Sequence, residues 1–132
     1  MQVLSTAAAM ERAMDHALSF TRDITFSEYR LLRTLQEAEH GLTRVALASA
    51  VSASPSGVTR ALKPLEKLGY VTTARNERDA RQSLAVLTQG GRDLLSDAAG
   101  VLTDYFAGLG VDSIPDKELT LFRRQLTQLT ER

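Results

Sequence analysis

Apolar residues near the start of the chain recur at helical intervals. Val3, Ala7, Met10, Met14 and Ala17 step by 4, 3, 4 and 3, with Leu4 and Leu18 beside them. That spacing is the narrow seam of a helix that packs on another helix, predicted from about residue 3 to residue 20. Thr25 or Ser27 then caps a second helix with Glu28 in its first turn. Tyr29, Leu32, Leu35 and Ala38 form its apolar face, and His40-Gly41 ends it. Thr43 opens a compact helix with Val45, Leu47, Ala48 and Val51 as its apolar positions, followed by a turn at Ser52-Ala53. Ser54-Pro55 supplies an N-cap and a proline at the first helical position. The helix behind it runs to Leu68, with Val58, Leu62, Leu65 and Leu68 inward and Ser56, Thr59, Arg60 and Lys63 outward; Gly69 closes it. Pro64 withdraws an N–H from the Arg60 carbonyl and is expected to bend this helix.

At Tyr70 the period changes from helical to two. Residues 70–74 and 83–87 read as the strands of a β-hairpin around a polar stretch, 75–82. This tip is too long and too charged for a minimal turn, which implies a contact loop, the plainer alternative being a solvated one. Thr88 caps a further helix through Gly90-Gly91 that carries Leu94, Leu95, Ala98, Val101, Leu102, Tyr105, Phe106 and Leu109. Ser113 and Pro115 start the last helix, with Asp116 and Glu118 near its positive end, and Leu119, Phe122, Leu126 and Leu129 repeat at 3, 4 and 3. The seams of the first and last helices lie outside the hairpin-bearing centre. They imply packing on each other across a dimer axis, the alternative being a monomeric bundle.

Composition narrows the chemistry. A chain of 132 residues, 43% hydrophobic and 24% charged, fits one ordinary folded domain. Sixteen basic residues against sixteen acidic ones leave no net charge, so any site for a polyanion must be local. Such a site is present between residues 54 and 81: Arg60, Lys63, Lys67, Arg75, Arg78 and Arg81 against Glu66, Glu77 and Asp79, a local +3. There is no cysteine, which removes disulfides, thiolate metal sites and thiol redox sensing. The apolar patch within the first ten residues has no basic residue before it and is broken by Glu11 and Arg12, a poor signal peptide. The most apolar window, 45–51, is far short of the ~18 residues of a membrane span. The expectation is a cytoplasmic protein with no membrane partner. His16 and His40 are the only histidines, and neither falls in a metal, nucleophile-elbow or phosphate-loop motif. No enzyme activity and no cofactor are expected.

Helix, helix, tight turn, helix, strand, charged loop, strand is the order of a winged helix-turn-helix. Gly41-Leu42-Thr43, Leu47-Ala48, Ser54, Val58-Thr59-Arg60, Leu65-Glu66-Lys67-Leu68-Gly69-Tyr70-Val71, Asp79-Ala80-Arg81 and Leu87-Thr88-Gln89-Gly90-Gly91-Arg92 resemble the MarR family of bacterial transcriptional regulators. The run from Ile24 to Arg30 looks like the start of the family's second helix, and the terminal helices look like its dimerisation region. Two departures stand out. Ala46 replaces a common Glu and removes half of a capping box with Thr43. Ala80 replaces one of two adjacent basic wing residues, while Arg81 keeps the place resembling the family's minor-groove arginine.

The expected fold is therefore mainly α with a small β-hairpin wing. Residues 1–132 form a single domain, with a DNA-binding core at 24–88, its helix-turn-helix at 43–69 and its wing at 70–88, flanked by dimerisation helices at 1–23 and 89–132. A helix of about 10–12 Å diameter fits the DNA major groove, which makes Ser56, Thr59, Arg60 and Lys63 candidates to face base edges. Thr59 and Arg60 resemble the family's DNA-contacting pair. Ser54 caps the helix and leaves its N–H groups near a phosphate. Arg75, Arg78 and Arg81 lie on the wing, where Arg81 and Arg78 suit an adjacent minor groove. Asp79 is read as structural, pairing with an arginine to hold the tip. The implied function is a dimeric repressor reading an inverted repeat in double-stranded DNA, its half-sites one turn apart. The resemblance further implies a small aromatic effector bound between the dimerisation helices and the winged core. Arg12, His16 and Arg30 are conceivable pocket residues, the plainer reading of each being a surface group or a local salt-bridge partner. A second reading is a winged-helix dimer that binds a small ligand or a protein without specific DNA binding.

Overall fold

Threonine and serine hydroxyls start four of the helices. Thr25 accepts the backbone N–H of Glu28 at 3.1 Å, and the Glu28 carboxylate accepts that of Thr25 at 3.1 Å, a complete capping box. Thr43, Ser54 and Thr88 likewise accept the N–H groups of Ala46, Gly57 and Gly91. The computed structural model describes residues 1–19 and 24–131, the side chain of Val111 excepted. The elements are α1 (Gln2–Ser19), α2 (Phe26–Glu37), α3 (Arg44–Ala50), α4 (Pro55–Lys67), β1 (Val71–Arg75), β2 (Ser83–Leu87), α5 (Gln89–Gly108), a one-turn 3₁₀ helix (Val111–Ser113) and α6 (Asp116–Thr130). The expected end of the first helix at residue 20 lies outside the described residues. The Asp15 carboxylate of α1 accepts the Phe26 N–H at 2.6 Å and so ties α1 to the start of α2.

Residues from the first five helices and the wing share one apolar core. It contains Leu18 of α1, Leu31, Leu32 and Leu35 of α2, Leu47 and Ala48 of α3, and Val58, Leu62 and Leu65 of α4. Val71, Ala85 and Leu87 of the wing and Leu94, Leu95, Ala98 and Leu102 of α5 also belong to it, as do Met14, Ile24 and Tyr29. α6 buries no residue. β1 and β2 pair antiparallel from Val71 opposite Leu87 to Arg75 opposite Ser83. Leu42 adds a third short rung, exchanging two backbone hydrogen bonds with Ala85 at 3.0 and 2.8 Å. Period two alone did not reveal this rung, because one residue has no period.

Several positions differ from the sequence expectation for geometric reasons. Val45 is 66% exposed: it lies about 200° round the helix from Leu47, and a helix of two turns has one inward face. Leu68 is 64% exposed rather than inward. It is the C-cap of α4, where the Gly69 N–H reaches the Glu66 carbonyl and the Tyr70 N–H reaches that of Leu65. This Schellman turn reverses the chain, and Tyr70 packs on the core instead. Leu109, the C-cap of α5, is exposed for a similar reason. Helix α2 stops at Glu37, before Gly41. Ser113 sits in the 3₁₀ turn, and α6 has Pro115 at its N-cap with no side-chain cap. β1 begins at Val71, one residue later than expected, and includes Arg75.

At α3 only half a capping box is present, since Ala46 offers no acceptor to the Thr43 N–H. Ala46 is exposed, so Ala46→Glu is expected to raise stability by about 0.5 kcal/mol in denaturant unfolding. An unchanged or lower midpoint counts against that account of the helix start.

Candidate nucleic-acid interface

α4 is anchored on one side and open on the other. Val58, Leu62 and Leu65 are buried, while Ser56, Arg60, Lys63 and Lys67 are exposed. Thr59, expected outward, is half-buried on the flank, and its hydroxyl donates to the Pro55 carbonyl at 3.0 Å. Its oxygen lone pairs stay available as acceptors. At the N-terminus the Ser54 hydroxyl accepts the Gly57 N–H at 3.1 Å and lies 3.3 Å from the Ser56 hydroxyl. The helix runs unbroken through Pro64, whose missing N–H leaves the Arg60 carbonyl without its intrahelical donor.

The wing tip is held by its own polar groups. The Asn76 N–H donates to the Gln82 carbonyl at 3.3 Å, and the Gln82 N–H to the Asp79 carbonyl at 3.0 Å. The Asn76 side chain accepts the Arg78 N–H at 3.1 Å. The Asp79 carboxylate accepts the Arg81 backbone N–H at 3.0 Å. The Asp79 carboxylate thus meets the backbone of Arg81, because the tight turn presents an N–H two residues on. Arg75, Arg78 and Arg81 are exposed. α4 and the wing therefore bring Ser54, Ser56, Arg60, Lys63, Arg75, Arg78 and Arg81 onto exposed positions of two ordered elements.

Arg44 was absent from the charge window drawn on the sequence. It opens α3, and its two terminal nitrogens divide: Nη1 donates to the Ser83 hydroxyl at 3.0 Å and Nη2 to Glu66 Oε1 at 3.3 Å. The same Glu66 oxygen accepts the Thr73 hydroxyl at 3.4 Å. No spacing in the sequence announces this set, since its members come from four elements. Extended to residue 44, the window holds seven basic against three acidic residues, a local +4.

The conceivable pocket residues are scattered. Arg12 and His16 lie on the exposed side of α1, and Arg30 borders a small groove of about 150 Å³ with Ser27, Gly57 and Ala61. A wider groove of about 420 Å³ lies between α2 and α5, lined by Tyr29, Arg33, Gln36, Glu37, Leu95 and Ser96 among others. Sequence reading missed Arg33, which donates toward the Tyr29 hydroxyl at 3.5 Å. Among the described residues no group of three His, Asp or Glu is placed to hold a metal ion, and no helix is long and apolar enough to cross a membrane.

Residues 22–82 match the sequence profile of the MarR family. A comparison with curated proteins found no match. Among solved structures, CouR from Rhodococcus jostii RHA1, bound to p-coumaroyl-CoA, is 26% identical with a TM-score of 0.85, over 98% of this chain and 90% of that one. Sco3205 from Streptomyces coelicolor, a MarR family transcriptional regulator in complex with DNA, shares the fold at 23% identity and a TM-score of 0.88. That match covers 98% of this chain and 82% of the other. A mutant MarR from E. coli complexed with operator DNA shares it at 22% identity and a TM-score of 0.84, over 97% and 90% of the two chains.

Proposed function

We propose, from the match of residues 22–82 to the MarR family profile, that the chain is a MarR-type homodimeric repressor reading an inverted repeat in double-stranded DNA. The observation that carries the reading is the pairing of an exposed basic face on a buried-backed α4 with an ordered, arginine-bearing wing. α4 enters the major groove, where Ser56, Thr59, Arg60 and Lys63 face bases and phosphates. Ser54 and the first turn of α4 meet a phosphate. Arg81 and Arg78 reach the neighbouring minor groove, with Arg75 at its edge. Residues 24–88 are the reading core, and 1–23 with 89–132 hold the two copies together so that the half-sites fall about 34 Å apart.

Selection of bound duplexes from random DNA, with the region upstream of the protein's own gene included, tests this reading. A palindromic motif is the expected result; a pool with no enriched motif favours a winged-helix dimer that binds only a ligand or a protein. On the selected duplex, Arg60→Ala and Arg81→Ala are each expected to weaken binding by about tenfold or more, with the dimer intact. Affinity is also expected to fall by about 10³-fold between roughly 50 and 200 mM salt as condensed counterions are released. Wild-type affinity in both variants across the salt series removes the proposed surface.

A small aromatic effector fits the same scheme. The groove between α2 and α5 offers apolar wall from Leu95 and polar groups from Tyr29, Arg33, Gln36 and Ser96, the composition that suits an aromatic acid. Support also comes from CouR, which holds p-coumaroyl-CoA. A thermal-shift screen of aromatic acids tests it, because a ligand of the folded state raises the unfolding temperature.

A further inference from the structure

We infer that Arg44 is a positioning residue that sets the angle between the recognition helix and the wing. The inference rests on the DNA-binding reading above and concerns a residue outside the proposed contact surface. The hairpin is fixed to the core at its base, where Val71, Ala85 and Leu87 are buried and Leu42 bonds to Ala85. Beyond that base Ala74 and Leu84 are half-buried on one face of the hairpin, while Thr73, Arg75 and Ser83 on the other are exposed. On that second face two polar ties run to the helices and converge on two groups. Ser83 of β2 accepts from Arg44 at 3.0 Å, and Thr73 of β1 donates to Glu66 at 3.4 Å. Arg44 joins the two by binding Glu66 at 3.3 Å.

Both strands are thereby tied to α3 and to the last turn of α4. The register places Thr73 and Ser83 on one face of the hairpin, two positions apart across the ladder, so the two ties resist tilting of the same face. The tip extends several residues farther at about 3.3 Å per residue, and a small tilt at the ties becomes a displacement of ångströms at Arg81 and Arg78. α4 and the wing address different grooves of one duplex, and one relative angle satisfies both. Arginine suits the task because its planar fork supplies two separately directed donors, which a lysine ammonium on a flexible stem does not fix.

The test uses the full-length protein, its selected duplex and a mixed-sequence duplex. Arg44→Lys keeps the charge and loses the fork. Positioning predicts that it weakens selected-duplex binding by about tenfold, as Arg44→Ala does, with mixed-sequence binding and the salt slope of Arg44→Lys unchanged. It also predicts that minor-groove protection by the wing is lost in footprints while major-groove protection remains. The exchange Arg44→Glu with Glu66→Arg is expected to recover most of the affinity that Arg44→Glu alone destroys. Wild-type affinity in Arg44→Ala overturns the inference. So does retained affinity in Arg44→Lys together with an exchange variant no better than Arg44→Glu, the pattern of a direct phosphate contact. A wild-type protein that selects no duplex overturns the DNA-binding reading itself, and it is recognised before any variant is made.

Discussion

Replacing Phe122 and Leu126 together with glutamate is expected to yield a monomer whose affinity for an inverted-repeat duplex is lower by about 10²-fold or more. The last helix carries Leu121, Phe122, Leu126 and Leu129 at 56, 57, 37 and 62% exposure and buries none of them within the chain. The first helix leaves Val3, Leu4 and Met10 exposed beside a buried Met14 and Leu18. Large apolar side chains repeating along two helices without cover are the mark of an interface. Each one buried by a second copy contributes about 1.5–3 kcal/mol. Two carboxylates in that seam must be desolvated on association, which the interface does not compensate. Loss of the dimer removes the second half-site as an intramolecular partner, hence the size of the effect. Light scattering reads the oligomeric state and a mobility shift reads the affinity. A variant that stays dimeric places the interface elsewhere, and a monomer that binds as tightly as the wild type removes dimerisation from the reading mechanism. The winged core should survive the change, because α6 gives it no buried residue.

The second large effect concerns stability. Gly41→Ala is expected to cost about 3 kcal/mol, the sum of a left-handed backbone penalty of about 1–2 kcal/mol and a close contact. Gly41 has φ +87°, and a methyl there would lie 2.6 Å from the Ala85 carbonyl oxygen and 2.8 Å from Val86 Cγ2. The oxygen is the one that accepts the Leu42 N–H, so relief of the clash pulls the third rung from the wing. Gly91→Ala is expected to destabilise similarly, since its Cβ would run into the Tyr70 carbonyl oxygen and the Leu87 side chain, where α5 abuts the base of β1. Urea unfolding measures both. Midpoints within error of wild type would show that the loop and helix relax at no cost, and the assigned roles of these glycines would fall.

The order of elements, their caps and most of the core were legible because each is a local matter. Thr25, Thr43, Ser54 and Thr88 cap the helices they precede, since a hydroxyl reaches only the N–H groups two or three residues on. The helical period picked out Leu32, Leu35, Leu62 and Leu65, all buried. Misplaced residues sit where a period ends: Val45 in a helix too short to average over, Leu68 and Leu109 at C-caps where the chain turns away. The candidate DNA face was legible in part. Ser56, Arg60 and Lys63 are exposed as their spacing requires, while Thr59 sits on the flank with its hydroxyl turned back to Pro55.

By itself, then, the sequence determined which segments coil or pair, which face of each is apolar, and where positive charge collects, for these follow from residue type at fixed backbone spacing. Only the tertiary structure decided what crosses between segments. It put Leu42 beside Ala85, brought Arg44 to Glu66 and Ser83 across separations of 22 and 39 residues, and left α6 with no buried residue. A side chain's neighbours from distant segments depend on how the apolar faces dock, and no interval along the chain records that choice.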